Sequence, residues 1–159
     1  MAVQIAKAAG ATVYATCGEY NRELVEQLGA DVVIDYRAQG VADVIMSETN
    51  GEGVDVVFDT VGGDTIAQSI AITNAGGRIV SVVSTSGDLN AAYGKNITLH
   101  FLFLQRARTK LNVLREQIER GRIKPVIDSV LPLENVAEAH AKLERGGVRG
   151  KIVLQVVQD

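Results

Sequence analysis

The sequence predicts an α/β fold built on a doubly wound parallel sheet. Short apolar runs rich in β-branched residues alternate with helical patterns from residue 11 to residue 83. The predicted strands are apolar on both faces, as expected of a parallel sheet that helices cover on both sides. This βαβα alternation is the main evidence for the fold class. With 159 residues, 47% of them hydrophobic, we expect a single domain over residues 1–159.

The first half of the chain supplies most of this alternation. A helix over 2–9 ends at Gly10, where a glycine at the C′ position would close it. Gly29 ends a second helical pattern in the same way, and Asp64 is placed to cap the N-terminus of a third. In order, we predict a strand at 11–16, a helix at 21–29, a strand at 31–35, a helix at 41–49, a strand at 54–60, a helix at 64–73 and a strand at 77–83.

After residue 83 the alternation becomes less regular. Residues 84–96 contain glycine, serine and asparagine and predict a loop. Residues 122–133 predict an extended link, because Pro125 and Pro132 interrupt regular structure. The remaining predictions are a strand or buried segment at 97–104, an amphipathic helix at 106–121 with Leu111 in its apolar stripe, a helix at 134–146 and a strand at 150–157.

Composition excludes several classes of function. The chain has 16 basic and 19 acidic residues, a net charge of −3, so we expect no nucleic-acid partner. No apolar run approaches the roughly 18 residues of a membrane span, and the first residues do not have a signal-peptide pattern. Cys17 is the only cysteine, which excludes an internal disulfide and predicts a reducing, cytoplasmic compartment. His100 and His140 lie far apart in sequence, so we expect no metal site.

Several segments together resemble one family. They are AVQIAKAAGATVYAT, LGADVVIDYR, GVDVVFDTVGG, GGRIVSV and RGRIKPVIDSVLPLENVAEAHAKLERGGVRGKIVL, which cover nearly the whole chain in order. The chain resembles the cofactor-binding half of the medium-chain dehydrogenase/reductases, and within them the zinc-independent quinone oxidoreductases. This resemblance implies a Rossmann-like dinucleotide-binding domain and NADPH as the cofactor. It also implies hydride transfer to a conjugated carbonyl of a quinone or enone.

The sequence departs from this family in one respect. The resemblance implies a catalytic domain, a first strand and a glycine-rich turn ahead of the helix at 2–9, yet the 159 residues contain no G-x-G-x-x-G. We therefore expect an incomplete Rossmann-like sheet without that strand and turn, and a chain that does not turn over substrate alone. The strands at 11–16 and 54–60 would then re-pair, accept a strand from another chain, or belong to a fragment of a longer protein.

The resemblance places the adenosine end of the cofactor after the first predicted strand. Thr16 and Cys17 fill the position where NAD-preferring members have an acidic residue. Arg22 follows on the first helical turn and is suited to a 2′-phosphate, which favours NADP(H), whereas Glu19 opposes it. Alternatively, Arg22 is a solvated helix residue that pairs with Glu26.

Further cofactor-binding residues follow the next two strands. The resemblance places Tyr36 beside the adenosine, although a tyrosine that covers the end of its strand explains the residue equally well. Asp59 ends the strand at 54–60, at the edge where open α/β sheets bind ligands. The resemblance implies that Thr60, Val61 and Gly62 line the cofactor; alternatively, they form only a tight turn that needs glycine.

The nicotinamide end is assigned in the same way. The resemblance places Val83 and Ser84 near the nicotinamide ribose and residues 100–104 beside the ring. For Phe101 and Phe103, packing in the core or in a dimer interface is the simpler explanation. Lys151 would return to the cofactor mouth, or lie on the surface as an ordinary lysine.

Other functions stay open at this level. The chain is also consistent with a catalytically inactive homologue that binds nucleotide or another protein, and with the cofactor half of a zinc-containing alcohol dehydrogenase. A methyltransferase is disfavoured, because the acidic residue that it needs after the strand at 11–16 is missing. The apolar strand at 150–157 would form a sheet edge that needs cover, which predicts a homodimer.

Overall fold

The computed structural model of the protein describes residues 1–157, and it has the predicted α/β fold with parallel sheets. The predicted helices and strands occur in the predicted order, with most boundaries shifted by one to three residues. The elements are α1 Ala2–Ala8, β1 Tyr14–Cys17, α2 Arg22–Gln27, β2 Val32–Asp35, α3 Val41–Glu48, β3 Val54–Asp59, α4 Thr65–Ile72, β4 Thr73–Ser81, α5 Ala91–Gly94, β5 Thr98–Phe101, α6 Arg108–Glu119, β6 Ile127–Pro132, α7 Val136–Arg145 and β7 Lys151–Gln155. Two of these elements are additional to the prediction: β6, and the short helix α5 within the predicted loop at 84–96.

Contacts between residues divide the chain into two compact units. The larger unit contains residues 14–22 and 31–107, and the smaller unit contains residues 1–13, 23–30 and 108 onward. Each unit has its own parallel strand pairs. The expectation of one domain over residues 1–159 stays a prediction.

The larger unit contains two separate parallel sheets. One has the order β1-β2 and the other the order β3-β4-β5. In the common doubly wound order 3-2-1-4-5-6, β1 and β2 correspond to strands 2 and 3, and β3 to β5 correspond to strands 4 to 6. Within the described chain, β1 and β3 each pair with one strand only and not with each other. Re-pairing of these two strands, one of the three expected outcomes, is therefore wrong.

Two apolar clusters hold the larger unit together. Ile66 and Ile70 of α4 pack with Ile79 of β4, and each of these side chains is almost completely buried. A second cluster joins Ile34 of β2 to Ile45 of α3, together with residues of α4 and β3. Burial of an isoleucine side chain contributes about 1.5–3 kcal/mol, so these clusters are the main stabilising term of the unit. They fix the strands whose ends form the candidate site.

The smaller unit contains a strand that the sequence analysis missed. Residues 127–132, predicted as part of an extended link, form β6, which pairs in parallel with β7. Pro125 precedes β6 and Pro132 is its last residue, positions at which a strand tolerates the missing N–H group. The prolines therefore delimit a strand and do not prevent one.

Helix ends in the smaller unit follow the predicted chemistry. Gly10 has φ +84° and lies at the C′ position of α1. Its N–H donates to the Lys7 carbonyl, and the N–H of Ala11 donates to the Ala6 carbonyl, the two bonds of a Schellman motif. Leu111, predicted in the apolar stripe of α6, lies in that helix and is mostly exposed. No helix within residues 1–157 is both long enough and apolar enough to cross a bilayer.

Candidate functional site

The carboxyl ends of the parallel strands lie in register. Asp59, the last residue of β3, is the register partner of Ser81 in β4, and Ser81 is the partner of Phe101 in β5. In the other sheet of the larger unit, Cys17 of β1 pairs with Asp35 of β2. Ligands of open α/β sheets bind outside the carboxyl ends of the strands. These two rows of residues therefore define the candidate site.

Asp59 organises the end of β3. Its side chain is 6% exposed, and both carboxylate oxygens accept hydrogen bonds. Oδ1 accepts from the Thr65 hydroxyl at 2.8 Å and from the N–H groups of Val61 at 3.1 Å and Gly62 at 3.3 Å. Oδ2 accepts from the Ser81 hydroxyl at 2.8 Å. Asp59 thus holds the turn after β3 and the end of β4 in one arrangement.

These bonds also set the charge of Asp59. Burial acts to raise the pKa of the Asp59 carboxyl, since a charge is costly away from water. Donation from Thr65, Ser81, Val61 and Gly62 outweighs that effect, and the net pKa lies below the ordinary value. Asp59 is therefore an anion at neutral pH, and its carboxylate accepts hydrogen bonds from neighbouring groups of the chain. Asp59 positions the turn, and its predicted contact with a cofactor stays a prediction.

The turn after β3 is joined to the loop after β4. Gly63 N–H donates to the Ser84 carbonyl at 3.1 Å, and Ser86 N–H donates to the Gly63 carbonyl at 2.9 Å. Gly62 has φ +83°, and a Cβ atom there would lie 2.5 Å from the Ser84 carbonyl oxygen. Only glycine fits at this position. The turn therefore depends on glycine for its own geometry, whether or not it also meets a cofactor.

The turn after β3 and the loop after β4 carry exposed side chains. Thr60 is exposed, and Val61 is 73% exposed although it is apolar. Val83 and Ser84 in the neighbouring loop are exposed as well. These four residues form an accessible surface beside the row of Asp59 and Ser81. Their predicted contact with a cofactor stays a prediction.

Arg22 lies just after β1 and is bound on two sides. Its Nε donates to both carboxylate oxygens of Glu19, at 3.0 and 2.9 Å. Its Nη1 donates to the Val33 carbonyl of β2 at 2.8 Å. The Arg22 side chain is 33% exposed, and that of Glu19 is 66% exposed. The sequence analysis assigned Arg22 to a 2′-phosphate. In the structure, Glu19 binds the Nε group of this arginine.

Tyr36 follows β2 and is 53% exposed. The guanidinium carbon of Arg37 lies 5.6 Å from the centre of the Tyr36 ring, within the range of a cation–π contact. A hydrogen bond with Tyr36 is the main cause of the raised pKa of Arg37. This exposed ring and the exposed Thr16 of β1 are the accessible side chains of the first sheet. Cys17, at the end of β1, is partly buried.

The end of β5 is apolar and open. Phe101 is half exposed, and Phe103 is 90% exposed. Packing of Phe103 in the core of the chain, one of the expected explanations, is therefore wrong. Leu102 and Leu104 continue the exposed apolar segment. The segment is accessible to a ligand or to another protein surface.

The remaining predicted residue lies in the other unit. Lys151 is the first residue of β7 in the smaller unit, its side chain is exposed, and its N–H donates to the Val126 carbonyl at 3.0 Å. The same unit has an ion pair between Lys142 and Asp128. Hydrogen bonds from the Lys142 side chain and the Arg149 N–H lower the pKa of Asp128 to about 2. This pair links α7 to β6 and has no predicted functional residue in it.

Sequence analysis missed two residues of the site. Ser81 and Thr65 hold the Asp59 carboxylate, and neither was assigned a role. Thr65 lies six residues after Asp59, close enough for a local turn motif to have suggested it. Ser81 lies 22 residues away, and only the strand register brings it to Asp59.

The described residues do not bring potential metal ligands together at this edge. Among residues 1–157, no group of three or more His, Cys, Asp or Glu side chains is placed to hold a metal ion, and zinc needs three or four such ligands. Two shallow clefts of about 260 and 350 Å³ lie elsewhere and include none of the predicted cofactor residues. At the candidate site itself, Asp59 and Ser81 are buried, and Val61 and Phe101 beside them are exposed.

Comparison with known proteins agrees with this architecture. Open parallel α/β sheets bind ligands outside the carboxyl ends of their strands, and the dinucleotide-binding folds are one class of such sheets. A family profile described as zinc-binding dehydrogenase matches residues 28–154. The chain belongs to the zinc-binding dehydrogenase family, and the resemblance to the medium-chain dehydrogenase/reductases is confirmed.

Relatives and solved structures cover nearly all of the chain. A mitochondrial NAD(P)H oxidoreductase of Homo sapiens is 30% identical in an alignment 179 positions long, which covers 98% of this chain and 44% of the relative. A crystal structure of an NAD-dependent alcohol dehydrogenase has a TM-score of 0.89 at 33% identity and covers 98% of this chain. The structure of the quinone oxidoreductase from Coxiella burnetii has a TM-score of 0.83 at 31% identity and covers 98% of this chain. This chain spans 47% and 48% of these two structures, so about half the length of its relatives.

Proposed function

We propose that the chain is the cofactor-binding part of an NADPH-dependent oxidoreductase that reduces conjugated carbonyls such as quinones or enones. The observation that carries the proposal is the in-register edge of Asp59, Ser81 and Phe101, with a turn after β3 that the Asp59 carboxylate holds in place. Names of relatives support a nicotinamide cofactor and a quinone substrate: an NAD(P)H oxidoreductase and a quinone oxidoreductase. The substrate and the whole activity belong to this proposal, because the chain spans about half of those relatives.

The residues present suit parts of a nicotinamide dinucleotide. Arg22 and Tyr36 would bind the adenosine end, Thr60 and Val61 would border the middle of the cofactor, and Phe101 would lie near the nicotinamide. Hydride transfer is the chemistry that the nicotinamide supplies when bound. The contribution of these residues would be binding and orientation. The donor set of the described residues does not suit zinc, and no step is assigned to a metal.

Isothermal titration calorimetry of the 159-residue chain with NADPH and with NADH tests the proposal. We expect micromolar binding of NADPH and weaker binding of NADH. Arg22→Gln should weaken NADPH to the level of NADH, while Arg108→Gln, a charge change at the start of α6, should leave both affinities unchanged. Absence of binding by either cofactor would refute the proposed function for this chain.

A homodimer is part of the same proposal. β7 pairs only with β6 among the described strands, and Val153, Val156 and Val157 are exposed along it and just beyond it. Exposed apolar strand edges are normally covered. We expect light scattering to give a dimer at about 50 micromolar protein, and Val153→Lys to shift it toward monomer. A monomeric wild type at that concentration would refute the dimer without affecting the cofactor proposal.

The location of the protein is a separate proposal. Cys17 as the only cysteine of the sequence supports a reducing compartment such as the cytoplasm. The human relative is named as mitochondrial, and the mitochondrial matrix is also reducing. Microscopy of the tagged protein in its native cells distinguishes the two compartments.

A further inference from the structure

The sheet β3-β4-β5 has one face that helices cover and one face that the described helices leave exposed. On the covered face, Val57, Ile79 and Leu99 form one row of register partners. This row packs in the apolar cluster that α4 and α5 complete. Side chains alternate between the two faces along each strand, and register partners share a face. The residues directly before and after this row therefore lie on the opposite face.

The opposite face consists of two rows of register partners, and we call their six residues the open face. They are Val56, Arg78 and Thr98 in the first row and Phe58, Val80 and His100 in the second. Val56 is 58% exposed and Phe58 is 49% exposed, whereas Ile79 on the covered face is 1% exposed. Parallel sheets are normally covered on both faces. The open face is therefore a surface that a further layer of structure would cover.

Arg78 gives the open face a positive charge. Its side chain is exposed, and no hydrogen bond or ion pair within residues 1–157 engages its guanidinium. Val56 and Arg78 also line a cleft of about 260 Å³ near the amino ends of β3 and β4. Asp55 lies in the same cleft, but its carboxylate accepts a hydrogen bond from the Asn74 side chain at 2.6 Å. A surface that covers Arg78 would leave a buried charge unpaired unless it brings a carboxylate.

Two arguments identify the kind of structure that fits the open face. Helices are the layer that covers parallel sheets in α/β folds, and an amphipathic helix places an apolar stripe next to charged positions. A second copy of the chain, packed face to face, would bring a second Arg78 and no carboxylate from the open face. Like charges disfavour that arrangement. The charge therefore favours an acidic helix over a second copy.

We propose that the open face is a docking surface for an amphipathic helix of a partner protein. The apolar stripe of this helix covers Val56 and Phe58, and an Asp or Glu side chain beside the stripe pairs with Arg78. Shielding from water makes such a pair stronger than an ion pair on an open surface. The proposal is independent of the proposed function, because none of the six residues is assigned to the cofactor.

The test is an NMR titration of the nitrogen-15-labelled 159-residue chain with two synthetic helical peptides. Each peptide has about 18 residues, or about five turns, with leucines at helical spacing on one stripe. One peptide carries glutamates beside the stripe, and the matched peptide carries lysines at the same positions. We expect the glutamate peptide to shift the amide resonances of Val56, Phe58 and Arg78 and to bind about tenfold more tightly than the lysine peptide.

Three variants assign this preference to Arg78. Arg78→Glu should reverse the preference between the peptides, whereas Arg108→Glu, the same change at the start of α6, should leave it unchanged. Thr98→Glu places a carboxylate beside Arg78, its register partner in β4, and should pair with it. In this variant the preference should fall below about twofold although Arg78 is retained. Circular dichroism checks that each variant is folded.

Several results would overturn the proposal. They are an absence of shifts at the open face with about 1 mM glutamate peptide, equal affinities of wild type for the two peptides, and an unchanged preference in folded Arg78→Glu. Resonances of the open face that shift with the concentration of the chain alone would show that a second copy covers it, which also contradicts a partner helix. Because these titrations contain no nucleotide, their outcome is separate from that of the cofactor titrations.

Discussion

Replacement of Asp59 by asparagine tests whether its carboxylate organises the site. The carboxylate accepts four hydrogen bonds while 6% exposed. Hydrogen bonds to a charged group contribute about 1.5–3 kcal/mol each, against about 0.5–1.5 kcal/mol for neutral pairs. The substituted amide would keep a neutral oxygen acceptor for Thr65, Val61 and Gly62, and its nitrogen would not accept from Ser81. The Ser81 hydroxyl also lies 3.1 Å from the Val83 carbonyl and would donate there, which limits the loss.

We therefore expect Asp59→Asn to lower the free energy of unfolding by about 2 kcal/mol at pH 7. Urea unfolding followed by far-UV circular dichroism measures this difference. Asp64→Asn is the matched control, because Asp64 is exposed and accepts one bond at its Oδ1 from the Ser86 hydroxyl. The control should change stability by less than about 0.5 kcal/mol.

The pH dependence of this difference provides a second check. The folded pKa of Asp59 lies below its unfolded value near 3.9. The ionised Asp59 carboxylate therefore makes its full contribution to the free energy of unfolding above the unfolded pKa. This contribution is lost as the pH falls through the folded pKa. The stability gap between wild type and Asp59→Asn should narrow below about pH 4. A gap under about 0.5 kcal/mol at pH 7, or one that does not narrow in acid, would refute the proposed role of the carboxylate.

Three further predictions concern the surrounding structure. Gly62→Ala should lower the free energy of unfolding by about 2–4 kcal/mol, because φ is positive there and the new Cβ would contact the Ser84 carbonyl. Gly63→Ala has open space around its Cβ and should lower it by about 1 kcal/mol. Urea unfolding that gives equal losses for the two variants would contradict this reasoning. Lys95→Met should lower the free energy of unfolding by about 1–2 kcal/mol in the same assay, because the Lys95 ammonium donates to three carbonyls at and after the end of α4. An unchanged stability would show that water replaces the ammonium as donor to these carbonyls. Carbon NMR titration should give Asp128 a pKa of about 2, rising toward the ordinary value in Lys142→Met; an unchanged pKa in that variant would exclude Lys142 as the main cause.

The fold could be predicted from sequence because its strands are local patterns. β3 and Asp59 were predicted from an apolar run that ends in an acidic residue, and both lie where expected. β6 was missed because Pro125 and Pro132 were interpreted as breaks within a link. In the sequence, a proline that ends a strand cannot be distinguished from a proline that lies in a link. Regular periodicity identifies a strand but does not identify its partner.

The site was predicted less completely than the fold. Ser81 contacts Asp59 through the pairing of two strands that are separated by α4, and no local pattern contains that information. Glu19 was recognised as unfavourable for a 2′-phosphate, but its hydrogen bond with Nε of Arg22 depends on side-chain conformations that the sequence pattern does not contain. Phe103 was expected to pack against other residues, and its 90% exposure depends on which surfaces the rest of the chain covers.

Backbone hydrogen bonds between Gly63, Ser84 and Ser86 join the turn after β3 and the loop after β4 into one rigid segment. Displacement of the turn after β3 would strain the loop after β4, since both are tied to each other and to the Asp59–Ser81 pair. A molecule that touches Val61 and Val83 would therefore meet a surface whose two halves are already ordered. Such a surface avoids most of the conformational entropy that a pair of independent loops would lose on binding. A displacement of one loop would also displace the other. The binding free energies contributed by contacts at Val61 and Val83 would therefore not be additive.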